Sequence, residues 1–105
     1  MRLAAPLFTA FLALAALPAA AQTAGNVAAG HEIARIWCSN CHVVDIETQR
    51  ATDGVPSFPA IARMPSTTPM ALQAFLQSPH GRMPNFQLTR QQVDDASAYI
   101  MSLKP

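Results

Sequence analysis

Apolar positions in this chain recur at steps of three and four residues, and no stretch alternates as a half-buried strand requires. Asn26 can cap a first helix whose apolar face is Val27, Gly30, Ile33, Ala34 and Trp37, with Glu32 and Arg35 on the wet side. "SFPAIARM" reads as a short helical turn stopped by Pro65. Thr68 caps a further helix, with Pro69 at its first position and "MALQAFLQS" continuing it. Thr89 and Gln92 make a capping box that opens the last helix. Its stripe is Val93, Ala96, Ile100 and Leu103, with Tyr99 at the edge. Asp94 and Asp95 are assigned to its positive end and Lys104 to its negative end. Residues 43–57 read as an irregular loop with a turn at Asp53-Gly54, and "PHGRMPNFQ" as an extended loop. The pattern predicts an all-α domain of three to four short helices joined by proline-rich loops.

The first 21 residues read differently. Arg2 precedes the apolar run "LFTAFLALAAL", Pro18 breaks it, and Ala19, Ala20 and Ala21 supply small residues. This is the layout of a secretory signal peptide cleaved after Ala21. The run is shorter than the roughly 20 residues that span a bilayer, although an uncleaved anchor would place the chain at a membrane. Residues 1–21 are therefore assigned to the leader and 22–105 to a single domain, with 22–25 as a short disordered lead-in.

Composition narrows what that domain can do. Arg2 leaves with the leader, so six of the seven basic residues remain, against six acidic ones. Such a balance supports neither nucleic-acid binding nor a basic membrane surface. A small exported domain usually needs a staple. Its two cysteines, Cys38 and Cys41, would close only a tiny disulfide loop, which constrains little of the unfolded chain. Gly30 costs a helix about 1 kcal/mol against alanine. Close approach of another helix would compensate for it, and a merely tolerated glycine is the plain alternative.

The two cysteines sit in "WCSNCHVVD". A thioredoxin-type pair needs a neighbouring βαβ unit, and this chain offers no strands for one. Structural zinc takes four ligands, whereas Cys38, Cys41 and His42 give three, crowded together, with His31 or His80 as distant candidates for a fourth. Cys-x-x-Cys-His fits c-type haem attachment more closely. The thiols become thioethers and the adjacent imidazole becomes the proximal iron ligand. A covalently bound apolar macrocycle would also fill the small core.

Here the chain resembles a small soluble bacterial class I cytochrome c. The resemblance covers nearly the whole mature chain: Gly30 in a first helix, "CSNCH" at its end, "GVPSF", "MPNFQLT", and the tyrosine-bearing helix ending "AYIMSLKP". It implies the cytochrome c fold wrapped round one covalent haem c, held by Cys38 and Cys41 and ligated by His42. It implies Met83, in "GRMPNF", as the distal ligand, and the Pro56 carbonyl as the acceptor that orients His42. It also implies that the first and last helices cross at Gly30, against Ala96 and Tyr99. His80 and Met64 are rivals to Met83, and Met70 is assigned to the core. Met101 is assigned to surface or core filling. Trp37, Phe58, Leu72, Phe75, Phe86 and Tyr99 are expected round the haem or between helices, and His31 in solvent.

His/Met ligation fills every coordination position and favours ferrous iron relative to bis-histidine ligation. The implied function is one-electron carriage in the periplasm rather than enzymatic turnover. It needs no small-molecule substrate. The expected partners are redox proteins such as a dehydrogenase, an oxidase or a membrane electron-transport complex, met by a monomer. A haem sensor or peroxidase-like enzyme with a displaceable sixth ligand is the alternative.

Overall fold

The computed structural model describes residues 25–45, 54–78 and 81–105. The leader over 1–21, the turn residue Asp53 and His80 lie outside the described residues. Among the described residues four α-helices follow in order: α1 (Val27–Ile33), α2 (Phe58–Arg63), α3 (Pro69–Gln77) and α4 (Arg90–Ser102). Among the described residues there is no strand pairing into a sheet, and α1 continues directly into a π-helical segment, Ala34–Cys38.

Each helix starts where side-chain chemistry can satisfy orphan backbone donors. Asn26 Oδ1 accepts from Ala29 N–H at 2.9 Å, Ser57 Oγ from Ala60 at 3.2 Å, and Thr68 Oγ1 from Ala71 at 3.0 Å. At α4 the capping box is complete in both directions, through Thr89 Oγ1 and Gln92 Oε1. Proline in the first turn of α2 and α3 donates no N–H and so breaks no bond there.

α4 is the scaffold, with α1, α3 and α2 all packed on it. The tightest approach is between α1 and α4. A methyl on Gly30 would collide with the Asp95 carbonyl and lie 2.8 Å from Tyr99 Cβ. The expected crossing at Gly30 is present, with Asp95 and Tyr99 its nearest neighbours on α4. Gly25, read from sequence as part of a disordered lead-in, belongs to the same contact, where a methyl would collide with Asp94. Asn26 N–H donates to Asp95 Oδ1 at 2.7 Å, and Gln91 Nε2 donates to the same oxygen at 2.8 Å.

Asp95 is thus buried, with Oδ1 accepting two hydrogen bonds. The assignment of Asp94 and Asp95 to the helix dipole is corrected on this ground. Neither lies in the first turn, Lys104 lies beyond the last one, and Asp94 accepts instead from Gln73 Nε2 at 2.9 Å, joining α3 to α4.

The core gathers Ala34, Cys38, Val44, Phe58, Ala62, Leu72, Tyr99 and Ile100, with Ile61, Met101 and Leu103 against it. The buried line of the first helical stretch is Gly30, Ala34 and Cys38, not the wider face predicted. Val27 and Trp37 are exposed, Trp37 by 42%. The π-helical segment accounts for this: its wider turn rotates side chains less per residue, keeping Cys38 under Ala34 and swinging Trp37 outward. Met70, assigned to the core, is 79% exposed on the outer side of α3.

The crossing generates a sign-discriminating test. At an open helix site Gly30→Ala would stabilise by up to about 1 kcal/mol. Here the obstacle is backbone, which no rotamer change relieves, so the helices must part and we expect a loss of about 1–3 kcal/mol or more. Urea unfolding of the haem-bearing protein measures it. A stabilised Gly30→Ala variant would show that the crossing is looser than described.

Candidate functional site

The Cys-His segment leaves the π-helical stretch with continuous hydrogen bonding. Ser39 N–H reaches back five residues to the Ala34 carbonyl at 3.0 Å. The Cys38 carbonyl then accepts from both Cys41 N–H (3.1 Å) and His42 N–H (2.9 Å). One tight turn therefore holds both sulfurs and the imidazole. Cys38 is buried and Cys41 exposed, and the two are not joined to each other.

The histidine ring is oriented from outside its own turn. His42 Nδ1 lies 2.6 Å from the Pro56 carbonyl oxygen. A carbonyl only accepts, so Nδ1 carries the proton, and Nε2 keeps its lone pair for a metal. Phe58 packs on the ring at a centroid distance of 5.4 Å. Phe58 N–H donates to the Val43 carbonyl at 2.9 Å, which draws the Pro56 segment against the residue after His42.

A second network braces the chain beyond the motif. Tyr99 Oη donates to the Val44 carbonyl at 2.6 Å and lies 2.9 Å from Asp45 Oδ1. His31 stacks on Tyr99 at 4.8 Å, with its Nε2 2.7 Å from Asp45 Oδ1. His31 was expected in solvent; instead it is half-buried and links α1 to the loop after His42. The helical period places it beside Gly30, so the signal that could have found it was the glycine next to it.

The distal candidate is on a separate loop. Met83 is half-buried between exposed Arg82 and Pro84. Gly81 and Gln87 both have positive φ, 45° and 52°, and Asn85 Oδ1 accepts from Gln87 N–H at 2.9 Å, so the loop is turned sharply around Met83. Phe86 meets Trp37 at 5.5 Å. The rival Met64 is 41% exposed at the end of α2. Phe58, Leu72 and Tyr99 are core residues, whereas Phe75 and Trp37 stand exposed.

The chemistry of these donors fits a haem better than the alternatives. Burial, and then the neighbouring Cys41, push the Cys38 thiol up to about 11. A redox-active thiol needs the opposite shift, because the thiolate is the nucleophile. Among the described residues no group of three His, Cys, Asp or Glu side chains is arranged to hold a metal ion. What is present is a single imidazole with its tautomer set, two cysteines in the same turn, and large apolar side chains left facing outward.

The Tyr99 network generates a test of how firmly the motif is held. Tyr99→Phe leaves the Val44 carbonyl without its donor and should cost about 1–3 kcal/mol. Burial first, then Asp45, raise the Tyr99 hydroxyl from 10.0 to about 12. In the unfolded chain it ionises near its ordinary value, so its stabilising contribution is fully present below pH 10. That contribution is lost as pH rises toward 12. The stability difference between wild type and Tyr99→Phe, from urea midpoints, should shrink across that window; a constant difference would contradict it.

Residues 25–100 match the family described as cytochrome c oxidase, cbb3-type, subunit III. The chain is also 42% identical over 82 residues to cytochrome c-552 of Bradyrhizobium diazoefficiens, covering 78% of this chain and 79% of that protein. No solved structure gave a significant match. The family match spans the Cys-His turn, α1 to α3 and α4 as far as residue 100. The chain belongs to this family: it is a c-type cytochrome, an electron carrier with covalently bound haem c.

Proposed function

We propose that Cys38 and Cys41 carry the thioether bonds to the haem, that His42 Nε2 is its proximal ligand, and that Met83 sulfur is its distal ligand. The observation that carries this reading is the 2.6 Å contact from His42 Nδ1 to the Pro56 carbonyl. It commits the ring to the one tautomer in which Nε2 can bind iron, and it adds basicity to that nitrogen. Bound in this way, the haem supplies a one-electron ferric/ferrous couple.

The chain's part is to keep the same donors in place in both oxidation states. His42 is held by Pro56 and Phe58, and the residues after it by Tyr99. A thioether is a soft donor that favours the reduced ion, which raises the potential relative to a second histidine. With His42 and Met83 both holding the iron, no open site would remain for oxygen or peroxide, so the reading is carriage without enzymatic turnover.

The family implies redox partners in electron transport and a site of action outside the cytoplasm. The finer reading is a periplasmic protein, freed by cleavage after Ala21, that exchanges electrons with larger redox proteins such as a dehydrogenase or an oxidase. The family description makes a cbb3-type oxidase a candidate among them. Among the described residues no helix is long and apolar enough to cross a membrane.

Distal ligation is tested by absorption of the ferric protein. Wild type should show the sulfur-to-iron charge-transfer band, Met83→Ala should lose it, and His80→Ala and Met64→Leu should keep it. A wild-type spectrum without the band, together with tight binding of added ligands, would support the sensor or peroxidase-like alternative instead.

A further inference from the structure

The Met83 loop is joined to the haem-bearing segment by an aromatic pair that the ligand set does not explain. Trp37 immediately precedes Cys38, and Phe86 follows Met83 by three residues. Their ring centroids are 5.5 Å apart with planes inclined at 57°, a tilted geometry in the range where aromatic pairs attract. The sequence pattern puts Trp37 on the buried face of a regular helix. The π-helical turn instead holds its indole outside the core, where Phe86 meets it. Phe86 is half-buried, while Asn85 and Gln87 on either side are exposed. The loop is thus turned so that Met83 and Phe86 face inward and the residues around them face out.

We propose that the Trp37–Phe86 pair is the latch that holds the Met83 loop closed over the sixth coordination position, which makes both aromatics positioning residues for the distal ligand. The inference rests on the reading of Met83 as that ligand. Trp37 is fixed to the Cys38 backbone and therefore to the proximal attachment. Phe86 is separated from Met83 only by Pro84 and Asn85, the first of which stiffens the backbone. Contact between the rings ties the distal loop to the proximal turn across 49 residues, from 37 to 86. An exogenous donor such as imidazole can enter only when Met83 is displaced, so its apparent affinity reports the fraction of time the latch is open.

The test uses haem-bearing wild type, Trp37→Ala, Phe86→Ala, the double variant and Trp37→Phe. Each is titrated with imidazole in the ferric state, with the charge-transfer band and the urea midpoint recorded alongside. Each alanine variant should bind imidazole roughly tenfold more tightly with a weakened band, since removing one ring opens the latch. The double variant should add little beyond either single one, because both remove the same contact. Trp37→Phe should restore near-wild-type affinity.

Lower urea midpoints with unchanged imidazole affinity would overturn the proposal and leave the rings as packing alone. So would fully additive effects in the double variant. Phe86→Ala lies away from the cysteines and provides the answer if Trp37→Ala impairs haem attachment. Failure of the ligand reading itself looks different: the wild-type protein would lack the band, or Met83→Ala would leave both band and affinity unchanged. Either result would overturn the latch together with the reading beneath it.

Discussion

The contact of α1 with α4 at Gly25 and Gly30 is the constraint on which the remaining geometry depends. With no side chain at either position, the helix that leads into the Cys-His turn lies directly on the backbone of Asp94 and Asp95. The entropic cost of two glycines is offset by close packing and by two hydrogen bonds to the buried Asp95 carboxylate. That approach puts His31 on the face of Tyr99 and lets the Tyr99 hydroxyl reach Val44, two residues beyond His42. A chain too short to bury a large core is in this way given a rigid platform beneath its one functional turn.

Function follows from rigidity more than from reactivity. A carrier works best when neither oxidation state asks the protein to rearrange, and the surroundings of His42 suit that requirement under the proposed ligation. The imidazole is fixed through Nδ1 by a loop carbonyl, flanked by Phe58, and followed by chain that Tyr99 braces. Burial, and then the neighbouring Cys41, raise the Cys38 thiol, which argues against redox cycling through its thiolate. The Met83 loop is different in kind. It has positive φ at Gly81 and Gln87 and is joined to the segment before Cys38 by ring contact, so under the proposed ligation any ligand exchange would start there.

Much of this was readable from the residues, for identifiable reasons. Caps are local: Asn26, Thr68 and the Thr89–Gln92 box act within three residues, so sequence pattern located those helix starts, while the Ser57 cap of α2 was seen only in the structure. Five residues hold the Cys-His motif, and together with the leader and the helix pattern it pointed to haem. What escaped depends on contacts between distant residues. The π-helical turn leaves no mark in a three- and four-residue period, so Trp37 was assigned to the wrong side. Gly25 gains its role from Asp94 and Asp95 from Asn26, each pair 69 positions apart, and His31 from Asp45 and Tyr99. Met70 satisfies the helical period yet lies outside, because period records a face and not what covers it. The Pro56 acceptor and the Gly30 crossing came from family resemblance, and the described geometry contains both.

The most direct measurement is tandem mass spectrometry of the native protein after trypsin, which cuts after Arg35 and Arg50 and so releases residues 36–50 as one peptide. The account predicts that this peptide carries one haem, bonded through the sulfur of Cys38 and of Cys41, in protein whose chain begins at Gln22. Recovery of residues 36–50 with both thiols free, or joined only to each other, would contradict it.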